Sequence, residues 1–295
     1  MPTRSSLKKK IISLQADFQH LRAGKDSLLA MIDEAEISEA VYNSNAIENS
    51  TLTLQETEKI LLELELSRNV SLREVYEAKN LARVIEYIRN KAQSERMGMA
   101  LMLLLHKMLM TNIDESIAGR FRGPNEFVRI GTHIAPAPEH VERLIELAIE
   151  NYFIDNKSFL TDKVARFHLE FERIHPFNDG NGRIGRILNN FLFICSGFPP
   201  ITIFNKDKYK SYYPAFQGYE RSGKTSIMEK TIVLQAQESL HKRITYLKGD
   251  EIIPVAEYAR QNNLNLSSLL NSARRQTIPA FRERGKWKIG SSCKL

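Results

Sequence analysis

Residues 175–186 read HPFNDGNGRIGR, which places one histidine, one aspartate, two asparagines, three glycines and two arginines in twelve positions. Gly180, Gly182 and Gly185 let a backbone approach a ligand closely and permit left-handed dihedrals. Apolar helical spacing resumes at Ile184, Ile187, Leu188 and Phe191, so the loop feeds a helix N-terminus. Unpaired N–H groups there, with the positive end of the helix dipole, form an anion site. Arg183 and Arg186, three apart, are expected to project from one side of the first turn toward the same place. Together these features favour phosphate. Asp179 beside phosphate calls for a bridging divalent cation, the usual role of a lone carboxylate in Mg²⁺–nucleotide sites. His175, at the mouth of the loop, has the intrinsic pKa to take a proton from a nucleophile. The plainer alternative is a helix–loop–helix with solvated charges, and the coincidence of histidine, acid and two arginines around the glycines weighs against it.

The elements that must hold this loop are legible on both sides of it. Val164, Phe167, Phe171 and Ile174 repeat at helical spacing, which stops where Pro176 biases His175 out of the α region. Further upstream the first 95 residues read as helices, from Ile60, Leu61 and Leu64 and from Val75, Ala78, Ala82 and Ile85. The stretch TLQE, Thr53 to Glu56, has the capping-box pattern. Residues 99–110 form another helix, rich in Leu and Met. From Asn125 the period changes: NEFVRIGTHIAPAP alternates, with one glycine and then two prolines, as a hairpin or extended flap does. The clearest boundary is KGDEIIP, 248–254. Beyond it, Val255, Tyr258 and Ala259, then Leu266, Leu269, Leu270 and Ala273, mark two short amphipathic helices. A basic segment with the only tryptophan follows. This gives an N-terminal helical region over 1–95, a central domain over 96–247 and a small unit over 250–295, with no internal repeat.

Composition is that of a soluble globular protein, 42 % hydrophobic and 26 % charged over 295 residues, enough for about two domains. The two cysteines follow no metal-ligand spacing, and Cys195, in FLFICSGF, is expected to be a buried thiol. The basic start lacks the apolar stretch of a secretory signal, and MGMALMLLL falls far short of the roughly 20 residues that span a bilayer. The expectation is a cytoplasmic protein without a membrane partner. The formal charge is +7, and from Glu251 onward eight lysines and arginines face three acids, so most of the surplus sits in the last 45 residues.

The loop matches HPFx(D/E)GN(G/K)RxxR at every defined position, and so the chain resembles the Fic family. GRFRGPNEFVRIG, FHLEFERIHPF and YKSYYPAF extend the likeness over about 100–240. The resemblance implies a mainly α fold: a Fic-type helical domain with a short β-hairpin flap, an N-terminal helical region and a small C-terminal winged helix–turn–helix-like domain. It implies a protein adenylyltransferase that moves AMP from ATP to a Ser, Thr or Tyr hydroxyl of a protein target. His175 would be the base and Asp179 the Mg²⁺ ligand. Asn178, Asp179, Gly180, Asn181, Gly182, Arg183 and Arg186 would bind the nucleotide, with the Asn181 side chain helping to cradle phosphates and Arg186 on the γ-phosphate. Lysine at position 182 marks a phosphate-transferring branch, and this chain has Gly182. Tyr212 and Tyr213 lie where the family often places an aromatic near adenine, though either fits a core equally. Val128, Arg129, Ile130, Gly131, Thr132 and His133 would form the target-docking flap.

SNAIENS, 44–50, resembles the family's inhibitory pattern (S/T)xxxE(G/N), with Ser44, Glu48 and Asn49 in its defined places on a helix around 38–49. Glu48 would make a bidentate contact with Arg186 and occupy the space of a γ-phosphate. The C-terminal unit resembles excisionase-type winged modules. Arg274, Arg275, Arg282, Arg284, Lys286 and Lys288 favour duplex DNA as its partner, and its short helices favour docking to protein. A homodimer, another nucleotide donor, removal of AMP, and a nucleic-acid-binding regulator with a secondary Fic site stay open as alternatives.

Overall fold

The computed structural model describes residues 5–295. Helix α1 (Ser5–Arg22) leads into α2 (Asp26–Ile47) and α3 (Leu54–Leu61). The capping box of α3 is complete: the Thr53 hydroxyl accepts the Glu56 N–H at 3.2 Å and the Glu56 carboxylate accepts the Thr53 N–H at 2.8 Å. The helix expected to contain ILLELEL, 60–66, stops earlier. Glu63 turns left-handed at φ 57°, and the Leu64 N–H reaches back to the Lys59 carbonyl, closing the last turn as a Schellman-type end does. Then come α4 (Leu72–Lys91), capped by Ser71, and α5 (Met99–Met110). Strands β1 (Arg129–Ile130) and β2 (His133–Ile134) form the expected hairpin, with Ile130 opposite His133 across Gly131 and Thr132. Helices α6 (Val141–Ile154), α7 (Leu160–Ile174), α8 (Asn181–Cys195), α9 (Tyr213–Ser222) and α10 (Ser226–Leu247) follow, with one turn of π-helix over Lys208–Tyr212.

One hydrophobic core runs from Ile11 to Leu247. Within it α7 packs on α8 and α10, α1 covers α10, and α4 bridges α2, α5 and α8, so residues before 95 and after it share the same interior. Cys195 departs from expectation: at the last residue of α8 its side chain emerges from the apolar run and is exposed. Among the described residues no helix is long and apolar enough to cross a membrane.

The last unit has its own small core, around Ile253, Tyr258, Leu269, Ala273 and Ile289. It is built from β3 (Ile252–Pro254), α11 (Val255–Gln261), α12 (Leu266–Arg274), β4 (Phe281–Glu283) and β5 (Lys286–Gly290), with antiparallel strand order β3-β5-β4. Its basic residues divide between those paired within the chain and those left open. Arg282 pairs with Glu238 at 2.8 Å and Asp207 at 2.7 Å and lies 3.6 Å over the Phe204 ring. Arg284 pairs with Glu58, and Lys288 with Glu283. The N–H groups of Arg284 and Gly285, both at positive φ in the β4–β5 turn, each donate at 3.0 Å to the Glu39 carboxylate on α2. Arg274, Arg275 and Lys286 stay exposed.

Candidate active site

The loop between α7 and α8 is held from three directions. His175 ends α7 in the left-handed region, φ 50° and ψ 63°, where Pro176 keeps it from continuing the helix. Arg122 binds that corner, donating to the carbonyls of His175 and Pro136 at 2.8 Å and of Glu126 at 2.9 Å. From α5, His106 stacks on Phe177 at 3.8 Å between ring centres. Its Nδ1 accepts the Gly119 N–H at 3.1 Å, so Nε2 carries the proton and donates to the Asp179 carbonyl at 3.1 Å. Burial keeps this imidazole neutral, its pKa lowered to about 4.

Asn181 holds the loop from inside. Its carboxamide accepts the Phe177 N–H at 2.9 Å and donates to the Phe177 carbonyl at 2.8 Å. Both polar ends of this side chain, which the resemblance assigned to phosphate, are thus engaged in shaping the loop. The anion site is left to the first-turn N–H groups of α8, which no intrahelical carbonyl accepts. Asn178 hydrogen-bonds Glu126 instead of facing the cavity.

The two arginines do not converge as expected. Arg183 is buried and pairs with Glu77 of α4 at 3.2 Å and Asp179 at 3.0 Å. Arg73, one turn before Glu77, holds the other oxygen of Asp179, closing a ring of two acids and two guanidiniums. Burial would raise the Asp179 pKa, but Arg183, the Gly180 N–H and Arg73 hold it below the ordinary carboxylate value. No group of three or more His, Cys, Asp or Glu able to hold a metal occurs among the described residues. The half-exposed Asp179 carboxylate suits a Mg²⁺ that draws its other oxygens from phosphates and water. A metal held by protein ligands alone does not fit.

Arg186 faces α2. Its Nε donates to the Ser44 hydroxyl at 2.9 Å, and one terminal nitrogen donates to the Ser44 carbonyl at 2.9 Å and the Glu48 carboxylate at 2.8 Å. The other terminal nitrogen meets the Tyr212 hydroxyl at 3.2 Å. The carboxylate contact is therefore single, not bidentate as expected, because Ser44 takes the rest of the fork. The helix bearing it is longer than 38–49: α2 starts at Asp26 and ends beside Glu48, and Asn49 follows at φ 68°. Glycine and asparagine are the residues that favour this left-handed position, which accounts for the asparagine there. The Lys208 ammonium donates to the Ala46 carbonyl at 3.0 Å and the Asn49 side chain at 3.1 Å, and the Tyr213 hydroxyl to the Ile47 carbonyl at 2.7 Å. A cation and a donor thus satisfy the helix's open C-terminal carbonyls. Gly182 leaves room for Glu48: a Cβ there would stand 2.1 Å from its carboxylate oxygen.

These groups line a cavity of about 420 Å³ beneath the flap. His175, Glu48, Glu172, Gly182 and Arg186 form its polar end, and Ile130, Gly131, Thr132 and His133 its flap wall; Arg183 and Asp179 lie outside the lining. Tyr212 is core, 2 % exposed, with its hydroxyl on His168 and Arg186, while Tyr213 is half-buried on the wall. Burial lowers the His175 pKa to about 4, so the ring is neutral near pH 7. Nδ1 lies 3.3 Å from the Glu172 carbonyl, which can only accept, so Nδ1 carries the proton and Nε2 is the free base.

A histidine base, a helix N-terminus and an arginine contested by a carboxylate thus meet in one cavity, and residues 98–193, the segment that supplies most of them, match the model of the Fic/DOC family. The chain carries a Fic domain. Protein adenylyltransferase Fic from Nematostella vectensis is 30 % identical over 177 residues, 58 % of this chain and 41 % of that protein. The Aedes aegypti protein of the same name is 29 % identical over 213 residues, 67 % of this chain and 42 % of its own length. The chain thus spans about two fifths of these curated relatives. A Fic-domain signalling protein from Bacteroides thetaiotaomicron superposes with TM-score 0.72 and 25 % identity, covering 82 % of this chain and 97 % of its own. A Fic family protein from Desulfovibrio desulfuricans, 17 % identical, shares the fold over 100 % of this chain and 99 % of its own with TM-score 0.65. Glu48, Arg73, Glu77 and the C-terminal unit lie outside the segment matched by the family model, so the Fic domain meets its closest charged neighbours in elements from other parts of the chain.

Proposed function

We propose that the chain is a Mg²⁺-dependent protein adenylyltransferase that moves AMP from ATP to a Ser, Thr or Tyr hydroxyl of a protein, and that Glu48 restrains it. The observation that carries the reading is the Arg186 guanidinium, 7 % exposed, which lines the same cavity as His175 and is held by a single carboxylate that a phosphate could replace. In the reaction, Nε2 of His175 takes the target hydroxyl proton as that oxygen bonds to the α-phosphorus. The bond to the bridging oxygen of pyrophosphate breaks in line. The first-turn amides of α8 hold phosphate oxygens, and Arg186, once released, holds the γ-phosphate. Bound Mg²⁺ at Asp179 would neutralise charge on the phosphates. Ile130 and Ile134, exposed on the hairpin, offer a strand edge to an extended target segment.

Intact-mass analysis after incubation with each nucleoside triphosphate and Mg²⁺ tests the reading. One AMP residue added from ATP is expected, and His175→Ala should abolish it, with a loss of at least 100-fold, the low end for a general base. Labelling that survives His175→Ala would sink it, and addition of bare phosphate or another nucleotide would redirect it to another donor. Gly182→Ala is expected to expel the Glu48 carboxylate, since the added methyl and the carboxylate oxygen need the same space. Its signature is a lost Glu48–Arg186 contact in the variant's structure; an unchanged contact would show that α2 yields instead. The rival reading as a nucleic-acid-binding regulator has less support, because Arg282, Arg284 and Lys288 are paired within the chain.

A further inference from the structure

Glu172 sits on α7, three residues before His175, and the function as described does not use it. Its side chain lies at the cavity wall, mostly buried, and one carboxyl oxygen is buried with no hydrogen-bond partner. Space for that oxygen exists because Gly185 has no side chain: a Cβ there would lie 2.6 Å from Glu172 Oε1 and 2.9 Å from the His168 ring. The other oxygen, Oε2, stands 3.8 Å from Nδ1 of His175. Nδ1 has only the Glu172 carbonyl within hydrogen-bond reach, at a long 3.3 Å, so the backbone contact alone orients the ring weakly.

We infer that Glu172 is a positioning residue for the base, its carboxyl closing on Nδ1–H of His175 and balancing the imidazolium that forms when Nε2 accepts a proton. The inference rests on the reading of His175 as the base. No proton passes to Glu172; the hydroxyl proton stays on Nε2 and leaves to solvent after transfer. The charged and titratable groups facing the pair are Glu48 from α2, Arg186 from α8, His168 from α7, Tyr212 from the π-helical turn, Tyr213 from α9, Arg122 from the loop before the flap, and His133 from the flap. Burial, then the Glu48 carboxylate, raise the Glu172 pKa to about 8 against the pull of Arg186, so the restrained arrangement keeps this carboxyl protonated near pH 7. Departure of Glu48 removes one of the two raising influences. That favours the charged partner of His175 when the arginine is freed, which links base and brake.

The test compares Glu172→Gln and Glu172→Asp in the full-length Glu48→Gly protein. Glutamine keeps the shape and removes the charge. The expected result is kcat down roughly 10- to 100-fold, the usual loss for a histidine's orienting partner, with KM for ATP within about twofold and the acid limb of the rate profile moved to lower pH. Aspartate should recover part of the rate. A readout free of catalysis is the His175 imidazole titration followed by NMR, whose pKa should fall in Glu172→Gln. An unchanged titration together with kcat within about twofold would overturn the inference. If His175→Ala itself keeps activity, the base reading fails instead, and the titration still decides whether the two side chains meet.

Discussion

Glu48→Gly is expected to raise auto-modification with labelled ATP by about tenfold or more. The carboxylate gives up one charge-assisted hydrogen bond at 2.8 Å, a contact of about 1.5–3 kcal/mol, and each 1.4 kcal/mol is tenfold in an equilibrium. Glu48 is 40 % exposed, so water weakens the bond toward the low end of that range. Against this, the fork of Arg186 keeps both Ser44 contacts in the variant, so freeing the arginine is incomplete and Ser44→Ala added to Glu48→Gly should raise labelling further. Adding His175→Ala must abolish the signal, which separates release of the brake from a nonspecific gain. Quantitative labelling at saturating ATP checks the prediction, and equal labelling with and without the carboxylate would sink the inhibitory role of α2.

The sequence made much of this site legible, for reasons that are local. His175 leaves the helix because of the proline after it, the glycines define the loop, and Thr53 with Glu56 fixes the start of α3 through bonds only three residues apart. What stayed hidden depends on elements far apart in the chain. His106 was one polar residue inside MALMLLLHKMLM, and that interruption of an apolar helix was the available signal for a loop clamp. Arg122 and Glu172 lay within the stretches GRFRGPNEFVRIG and FHLEFERIHPF, yet nothing local distinguishes a guanidinium that binds four carbonyls, or a carboxyl beside the base, from solvated charges. Arg183 and Arg186 share a helical face but not a partner, because Glu77 and Glu48 arrive from different helices.

At the C-terminus, too, basic residues find partners in distant elements, and there the second large effect is expected. Arg282→Ala should destabilise the protein by about 3–5 kcal/mol, because it leaves Glu238, 7 % exposed, as a buried carboxylate without its cation. Glu238 accepts three bonds from Arg282, from its backbone N–H and from two guanidinium nitrogens, and only the first survives the substitution. Asp207, a third exposed, can turn to water, so its loss is smaller. The guanidinium also fills the space between the Phe204 and Trp287 rings, so packing is lost with the charge. A drop of roughly 5–8 °C in melting temperature follows if the chain unfolds as one unit. Proteolysis near 248–251 at temperatures where the main core is intact follows if the small C-terminal core detaches first. Arg282→Met with Glu238→Gln should recover most of the loss, since no charge is then stranded; a double variant as unstable as the single would assign the loss to packing. Detachment would also free Glu39 of α2 from the two N–H groups of the Arg284–Gly285 turn, so the helix that presents Glu48 loses a tether. Auto-modification by Arg282→Ala should therefore rise, by less than with Glu48→Gly. A destabilised variant with unchanged labelling would mean that Lys208 and Tyr213, at the far end of α2, hold Glu48 in place without help from the C-terminal unit.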